Sequence, residues 1–76
     1  MNNVKDLVFI KKFGNNLKQI RMSKKISQEI LAYSADIPIS QVGRIERGEI
    51  NTTISTIKVI ANALNIPLKE LFDFEP

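Results

Sequence analysis

Polar and basic side chains recur between residues 27 and 48, where they alternate with small and apolar residues at helical spacing. Among them, Gln28, Gln41 and Arg44 carry amide and guanidinium groups, which can form paired hydrogen bonds with base edges and phosphates. The carboxylates, serines and single tyrosine of the chain show no spacing that pairs a nucleophile with a base. The segment therefore favours recognition of a nucleic acid, and we expect no enzymatic activity.

The apolar and small residues of the same segment predict two short helices that cross over a tight turn. Counted from Gln28, they occupy positions 4, 5, 8, 10, 15 and 18, which are Leu31, Ala32, Ala35, Ile37, Val42 and Ile45. Two helices joined by a turn of about three or four residues need a small residue at their closest approach and larger apolar side chains around it. This spacing predicts a helix-turn-helix, a motif whose second helix enters the major groove of DNA.

The composition limits the chain to one compact domain and excludes most kinds of catalysis. A chain of 76 residues with 43% apolar content can form a single modest core, so we expect one domain over residues 1–76. Because cysteine and histidine are absent, disulfides, thiolate and imidazole chemistry and nearly every zinc site are removed, and we expect no metal and no cofactor. The longest apolar run, residues 7–10, is too short to span a membrane, which favours a cytoplasmic protein.

The formal net charge of +3 conceals a division between a basic body and an acidic tail. Residues 70–76 contain three acidic and no basic residues, whereas residues 1–69 contain 11 basic and five acidic ones. A basic surface suits a polyanionic partner, and the acidic tail suggests a different task for this end of the chain.

Helical periodicity predicts an all-α fold of five helices, since no segment alternates apolar and polar residues with a period of two. The helices are expected over about residues 5–23, 27–35, 39–47, 54–64 and 66–72. Ser27 and segment 51–53 supply N-caps, whereas Gly48 and Asn65 suit left-handed C-terminal stops. Gly14 interrupts the apolar stripe of the first helix, which indicates close approach of another helix. The residues expected to face inward from the fourth helix are Ile54, Ile57, Ile60, Ala61 and Leu64.

Four stretches of sequence give the chain its resemblance to a known family. They are Phe13-Gly14…Leu17…Ile20-Arg21, Ser27-Gln28…Leu31-Ala32, Gly43-Arg44-Ile45-Glu46-Arg47-Gly48 and Ile60-Ala61-Asn62-Ala63-Leu64-Asn65-Ile66. With these the chain resembles the helix-turn-helix domains of the lambda-repressor and Cro type, also called the xenobiotic-response-element family, over residues 13–72. The resemblance implies a compact five-helix domain that binds double-stranded operator DNA as a homodimer, preceded by an extension over residues 1–12.

The resemblance implies that the start and middle of the third helix contact the bases. The residues in these outward positions are Ile39, Ser40, Gln41 and Arg44. Arg44 can grip guanine O6 and N7 together, or it can pair with a phosphate instead, and Ser40 and Gln41 can bond either bases or phosphates. Ile39 can contact a thymine methyl group, or it can act as a hydrophobic staple onto its own helix.

The resemblance also implies phosphate contacts and a structural ion pair. Gln28, at the start of the second helix, is expected to touch a phosphate and to brace the recognition helix. The side chains after the recognition helix and the free N–H groups of the fourth helix are expected to form a phosphate site. These side chains are Arg47, Asn51, Thr52 and Thr53, of which the last is also a capping residue. Arg21 and Glu46 are expected to pair and to tie the first helix to the third.

Three residues depart from the family pattern. Asp36 stands in the turn where glycine is usual, and Pro38 replaces the serine or threonine cap of the third helix. The first residue of that helix is therefore defined only to within one or two positions. Ile30 places an apolar side chain where a charged one is common, which suits packing on the first helix or on a partner.

Five apolar side chains in a nine-residue stretch predict a twofold contact through the fifth helix. They are Ile66, Leu68, Leu71, Phe72 and Phe74. Because a domain this small can hardly bury all five alone, we expect a homodimer, with packing inside the chain as the alternative. Val4, Leu7, Val8 and Phe9 add apolar surface for a dimer arm or for local packing.

Two functions follow from these observations. The first is a sequence-specific transcriptional regulator, a repressor or controller, that inserts its third helix into the major groove of a palindromic operator. Such a regulator blocks RNA polymerase or touches it, so polymerase is a candidate protein partner. The alternative is a helical protein-interaction module that docks a toxin or polymerase, and it is motivated by Ile30 and the apolar, acidic end of the chain.

Overall fold

The fold is all-helical, as the periodicity predicts. A computed structural model describes residues 6–75, which form four α-helices and a closing 3-10 helix, without a β-strand. The α-helices are α1 (Leu7–Ser23), α2 (Gln28–Ala35), α3 (Ile39–Glu46) and α4 (Ile54–Leu64), and the 3-10 helix covers Leu68–Phe72. The predicted starting point of the first helix, Lys5, and the predicted contact residue Val4 lie outside the described residues. None of the helices between residues 6 and 75 is long and apolar enough to cross a membrane.

Local side-chain chemistry explains where the helices begin and end. The hydroxyl of Ser27 accepts a hydrogen bond from the Ile30 N–H at 3.1 Å, and that of Thr53 accepts one from the Thr56 N–H at 3.2 Å. Asp36 and Asn65 end α2 and α4 in the left-handed conformation, at φ 59° and 57°. Both caps and the stop at Asn65 were predicted and are confirmed, whereas Asp36 was predicted only as a residue of the turn. Pro38 precedes α3 without a side-chain cap, so this helix begins at Ile39.

The hydrophobic core draws on all five helices. Its buried residues are Phe13, Leu17, Leu31, Ala32, Ala35, Val42, Ile45, Ile60, Ala61, Leu64 and Leu71. The prediction that Ile54 faces inward is wrong, because its side chain is 80% exposed. Ile54 is the first residue of α4, and it precedes the buried residues of this helix, which begin at Ile60.

Leu71 belongs to this core, and its predicted place in a dimer interface is therefore wrong. The residue has no exposed surface within the chain, so it has none to offer to a second copy. The 3-10 helix packs against α1 and α4, and the Asn16 amide of α1 donates to the backbone oxygens of Glu70 and Leu71 at 3.0 and 2.9 Å. Leu71 thus completes the core of its own chain rather than joining two chains.

Aromatic rings attach the start of α1 to the C-terminal end of the chain. Phe9 packs against Phe72 and Phe74, with ring centroids 6.4 and 5.2 Å apart, and Phe13 packs against Phe72 at 5.0 Å. Of the two roles expected for Phe9, local packing is the one that the structure shows. Part of the apolar tail is thereby covered within the chain, although Leu68 and Phe72 remain 37% and 40% exposed.

Gly14 allows α1 to approach the end of α3 closely, as predicted. A Cβ at this position would collide with the backbone oxygen of Ile45, and it would lie 2.7 Å from the backbone oxygen of Glu46. Since both obstacles are backbone atoms, they cannot move aside by changing a rotamer. Glycine is therefore required here by contact with a neighbouring helix.

We expect Gly14→Ala to destabilise the protein, although alanine favours an isolated helix by roughly 1 kcal/mol. The collision with α3 is an overpacking defect, which costs about 1–3 kcal/mol. Urea denaturation measures the change, and Asn15→Ala on the exposed side of the same helix is the matched control. If Gly14→Ala were as stable as Asn15→Ala, the close approach of α1 and α3 would not constrain the fold.

Candidate nucleic-acid interface

One edge of α3 is exposed and the opposite edge is buried. Ile39, Ser40 and Arg44 are exposed and Gln41 is half-buried, whereas the side facing the core is formed by Val42, Gly43, Ile45 and Glu46. The four residues predicted to contact bases therefore share an accessible edge. An α-helix with its side chains is about 10–12 Å in diameter, which fits the DNA major groove, about 12 Å wide.

A buried ion pair fixes the rotation of α3. Arg21 of α1 donates from Nε and Nη2 to the two carboxylate oxygens of Glu46, at 2.6 and 3.1 Å. The remaining Nη1 donates to the backbone oxygen of Ile26 at 2.8 Å, in the connection between α1 and α2. Both side chains are buried, and no buried side-chain polar atom within residues 6–75 lacks a hydrogen-bond partner. The structure thus brings the predicted pair together with bidentate geometry.

Gln28 joins the same network from the first turn of α2. Its Nε2 donates to Oε1 of Glu46 at 2.9 Å, so the amide holds α2 against the end of α3. The side chain is half-buried, and an amide nitrogen has a second hydrogen that can be donated elsewhere. The bracing role expected for Gln28 is present in the structure, and a phosphate contact remains chemically open to it.

Arg47 forms a second ion pair, which the sequence analysis missed. Its Nε and Nη2 donate to the two carboxylate oxygens of Glu49 at 2.7 and 3.2 Å, and both side chains are about half exposed. The hydrogen bonds from Arg47 lower the pKa of the Glu49 carboxyl, and the carboxylate in turn raises the pKa of Arg47. The only signal in the sequence was an acidic residue two positions after an arginine in a turn.

The turn after α3 brings the other predicted phosphate ligands to the start of α4. Gly48 is left-handed at φ 72°, and α1 lies beside it at Lys11. Asn51 is exposed and Thr52 half-buried, whereas the Thr53 hydroxyl caps α4 and also donates to Thr56 Oγ1 at 2.9 Å. Asn51, Thr52 and the free N–H groups of α4 are thus the groups in this turn that remain available to an anion.

Arg44 contrasts with Arg21 and Arg47. Its side chain is exposed near the end of α3, and its guanidinium forms no hydrogen bond or salt bridge within the described range 6–75. Its guanidinium therefore keeps a complete set of donors for a ligand.

Two short helices, a turn through left-handed Asp36 and an exposed edge on the second helix define a helix-turn-helix protein. Residues 17–71 match the helix-turn-helix family HTH_3, and the chain belongs to this family, which is of the Cro and lambda-repressor type. The resemblance drawn from the sequence is confirmed.

Three proteins are similar to this chain over at least 76% of its length. The chain is 41% identical over 63 residues to the control protein C.BamHI of Bacillus amyloliquefaciens, which covers 82% of this chain and 78% of the relative. It is 34% identical over 58 residues to the immunity repressor protein of Bacillus phage phi105, covering 76% of this chain and 40% of the repressor. The crystal structure of the restriction-modification controller protein C.AhdI from Aeromonas hydrophila superposes with a TM-score of 0.84 at 40% identity, covering 86% of this chain and 98% of that one.

We expect Arg21→Ala to lower the melting temperature more than Arg44→Ala does. The first change strands the buried Glu46 carboxylate, which costs about 3–5 kcal/mol, whereas an exposed substitution usually stays within about 0.5 kcal/mol. Thermal unfolding followed by circular dichroism compares the two variants directly. A larger loss for Arg44→Ala would mean that the buried pair does not hold the helices together.

Proposed function

We propose that this protein is a sequence-specific, DNA-binding transcriptional regulator that inserts α3 into the major groove of a palindromic operator as a homodimer. The observation that carries the proposal is the exposed edge of α3, whose opposite side is locked to α1 and α2 through Glu46. A helix held in one rotation presents one set of side chains to the groove, as sequence-specific reading requires.

Four side chains on this edge are proposed to contact the bases. Arg44, with its donors uncommitted, grips guanine O6 and N7, while Ser40 and Gln41 hydrogen-bond to neighbouring base edges. Ile39 is 46% exposed at the start of the helix, which suits contact with a thymine methyl group and does not suit a staple folded onto the core.

Phosphate contacts on either side are proposed to hold α3 in the groove. Gln28 lies at the start of α2, and the turn after α3 carries the other members of this set. They are Arg47, Asn51, Thr52 and Thr53, the last acting through its backbone N–H because its hydroxyl caps α4. Contacts of this kind fix the orientation on the duplex without reading its sequence.

The similar proteins support a controller or repressor. C.BamHI and C.AhdI are named as control and controller proteins, and the phi105 relative as a repressor. C.AhdI is covered over 98% of its length, so a protein made of little more than this domain can serve as a controller. For the present chain we propose the same class of role, exerted in the cytoplasm by occupying DNA next to RNA polymerase.

The homodimer is proposed to form through the exposed part of the C-terminal apolar cluster. Leu68 and Phe72 are more than one third exposed, and Ile66 and Phe74 are half-buried next to them. A twofold axis through this surface would repeat α3 about 34 Å away, one turn of DNA along the duplex.

A protein-docking module is the second candidate, and one surface favours it. Ile30 and Tyr33, three residues apart on α2, are 55% and 89% exposed and lie on one face of the helix. This face could receive a protein partner without involving α3.

We expect selection from a random duplex library to enrich a palindrome, with a preferred guanine in each half-site. With Arg44→Ala, that guanine preference should be lost at a cost of about 1–3 kcal/mol, while the other positions stay selected. Uniformly weaker binding with unchanged preference would make Arg44 a phosphate contact. Failure of the wild type to enrich any sequence would favour the docking module.

We expect the wild-type protein to sediment as a dimer at micromolar concentration and Leu68→Glu to sediment as a monomer. The charge would be buried without a partner at the proposed twofold contact. Ile30→Glu is the matched control, since it places the same charge on an exposed apolar residue of α2, and it should remain dimeric. Monomers from Ile30→Glu alone would move the interface to α2.

A further inference from the structure

The exposed ion pair between Arg47 and Glu49 occupies the group that the proposed function needs for a phosphate. The carboxylate engages Nε and Nη2, at 2.7 and 3.2 Å, which is one complete donor edge of the guanidinium. Arginine binds carboxylates and phosphates through the same parallel pair of N–H groups. With Glu49 in this position, a DNA phosphate cannot use that edge of Arg47.

The surroundings of Arg47 show that its guanidinium lies at the junction of the two DNA-facing helices. A Cβ added to Gly43 would lie 2.9 Å from Nη1 of Arg47 and 3.7 Å from Oε1 of Gln28. The guanidinium therefore folds back over the glycine of α3, next to the side chain that opens α2. This is where the proposed function requires a phosphate contact, and Glu49 lies at the same place.

Stability does not explain the pair, because both partners are about half exposed to solvent. Ion pairs at such positions contribute little to folding and are screened by salt. The turn itself is held by backbone bonds, in which Gly48 donates to Ile45 and Glu49 donates to Arg44, at 3.0 and 2.9 Å. The Glu49 side chain is thus dispensable for the turn that carries it.

We propose that Glu49 is an intramolecular competitor for the phosphate site of Arg47. Its carboxylate mimics the phosphate in the free protein and must be exchanged for it when a duplex binds. The inference rests on the proposed function. Because the exchange involves no base, Glu49 lowers the affinity for every duplex by the same factor, and it leaves the reading of sequence to α3.

A double-mutant cycle on Arg47 and Glu49 tests this competition. Fluorescence anisotropy with a labelled duplex of mixed sequence gives Kd for the wild type, Glu49→Gln, Arg47→Gln and the double variant. Glu49→Gln should tighten binding about two- to fivefold in the wild-type background, the range expected for releasing an exposed ion pair. In the Arg47→Gln background the same change should have almost no effect, because the competitor has lost its target.

The control separates competition from the removal of a negative charge near DNA. Glu29→Gln removes the same charge from an exposed position in the first turn of α2, and its effect should be equal in both backgrounds. Equal gains from Glu49→Gln in both backgrounds, or weaker binding by Glu49→Gln, would overturn the inference while the proposed function stands. Absence of duplex binding by the wild type would overturn the proposed function and this inference with it.

Discussion

The buried pair of Arg21 and Glu46 is the constraint on which the rest of the structure depends. Removing two charges from water is costly, and here the cost is offset because each nitrogen of the Arg21 guanidinium donates a hydrogen bond and both oxygens of Glu46 accept one. Residues two apart on a helix point about 200° away from each other. Holding Glu46 inward therefore directs Arg44 outward, so a structural contact in the core determines which side chain of α3 is presented on the exposed edge proposed to face DNA.

The same constraint explains why α1 carries a glycine at its centre. Gly14 and Arg21 are seven residues apart, about two turns, and so lie on one face of α1. Gly14 lets this face approach the last backbone oxygens of α3, and Arg21 then reaches the carboxylate of Glu46. A larger residue at position 14 would separate the helices at the place where the ion pair needs them close. The glycine and the arginine together hold the end of α3 against α1.

The side-chain chemistry that begins and ends each helix could be predicted from the sequence. The burial of a residue by an element that is distant in the chain could not. Ser27, Thr53 and the left-handed residue Asn65 act on their own helices, and all three were predicted correctly. Ile54 and Leu71 were assigned to the wrong environments, because periodicity identifies an apolar face but not how far another element extends over it. The last helix is of the 3-10 type, a difference in winding that its apolar spacing does not reveal.

The candidate site could be predicted to a similar extent. The edge of α3 and the partner of Arg21 were found in advance, the second through resemblance to a family rather than through spacing. Glu49 was missed because its contact with Arg47 depends on the path of a turn.

The two arginine–glutamate pairs differ in their exposure to solvent. The side chains of Arg21 and Glu46 are 11% and 2% exposed, whereas those of Arg47 and Glu49 are 58% and 49% exposed. Salt and competing anions act on the second far more than on the first, so the rigid pair positions α3 and the exposed pair is the one that can exchange.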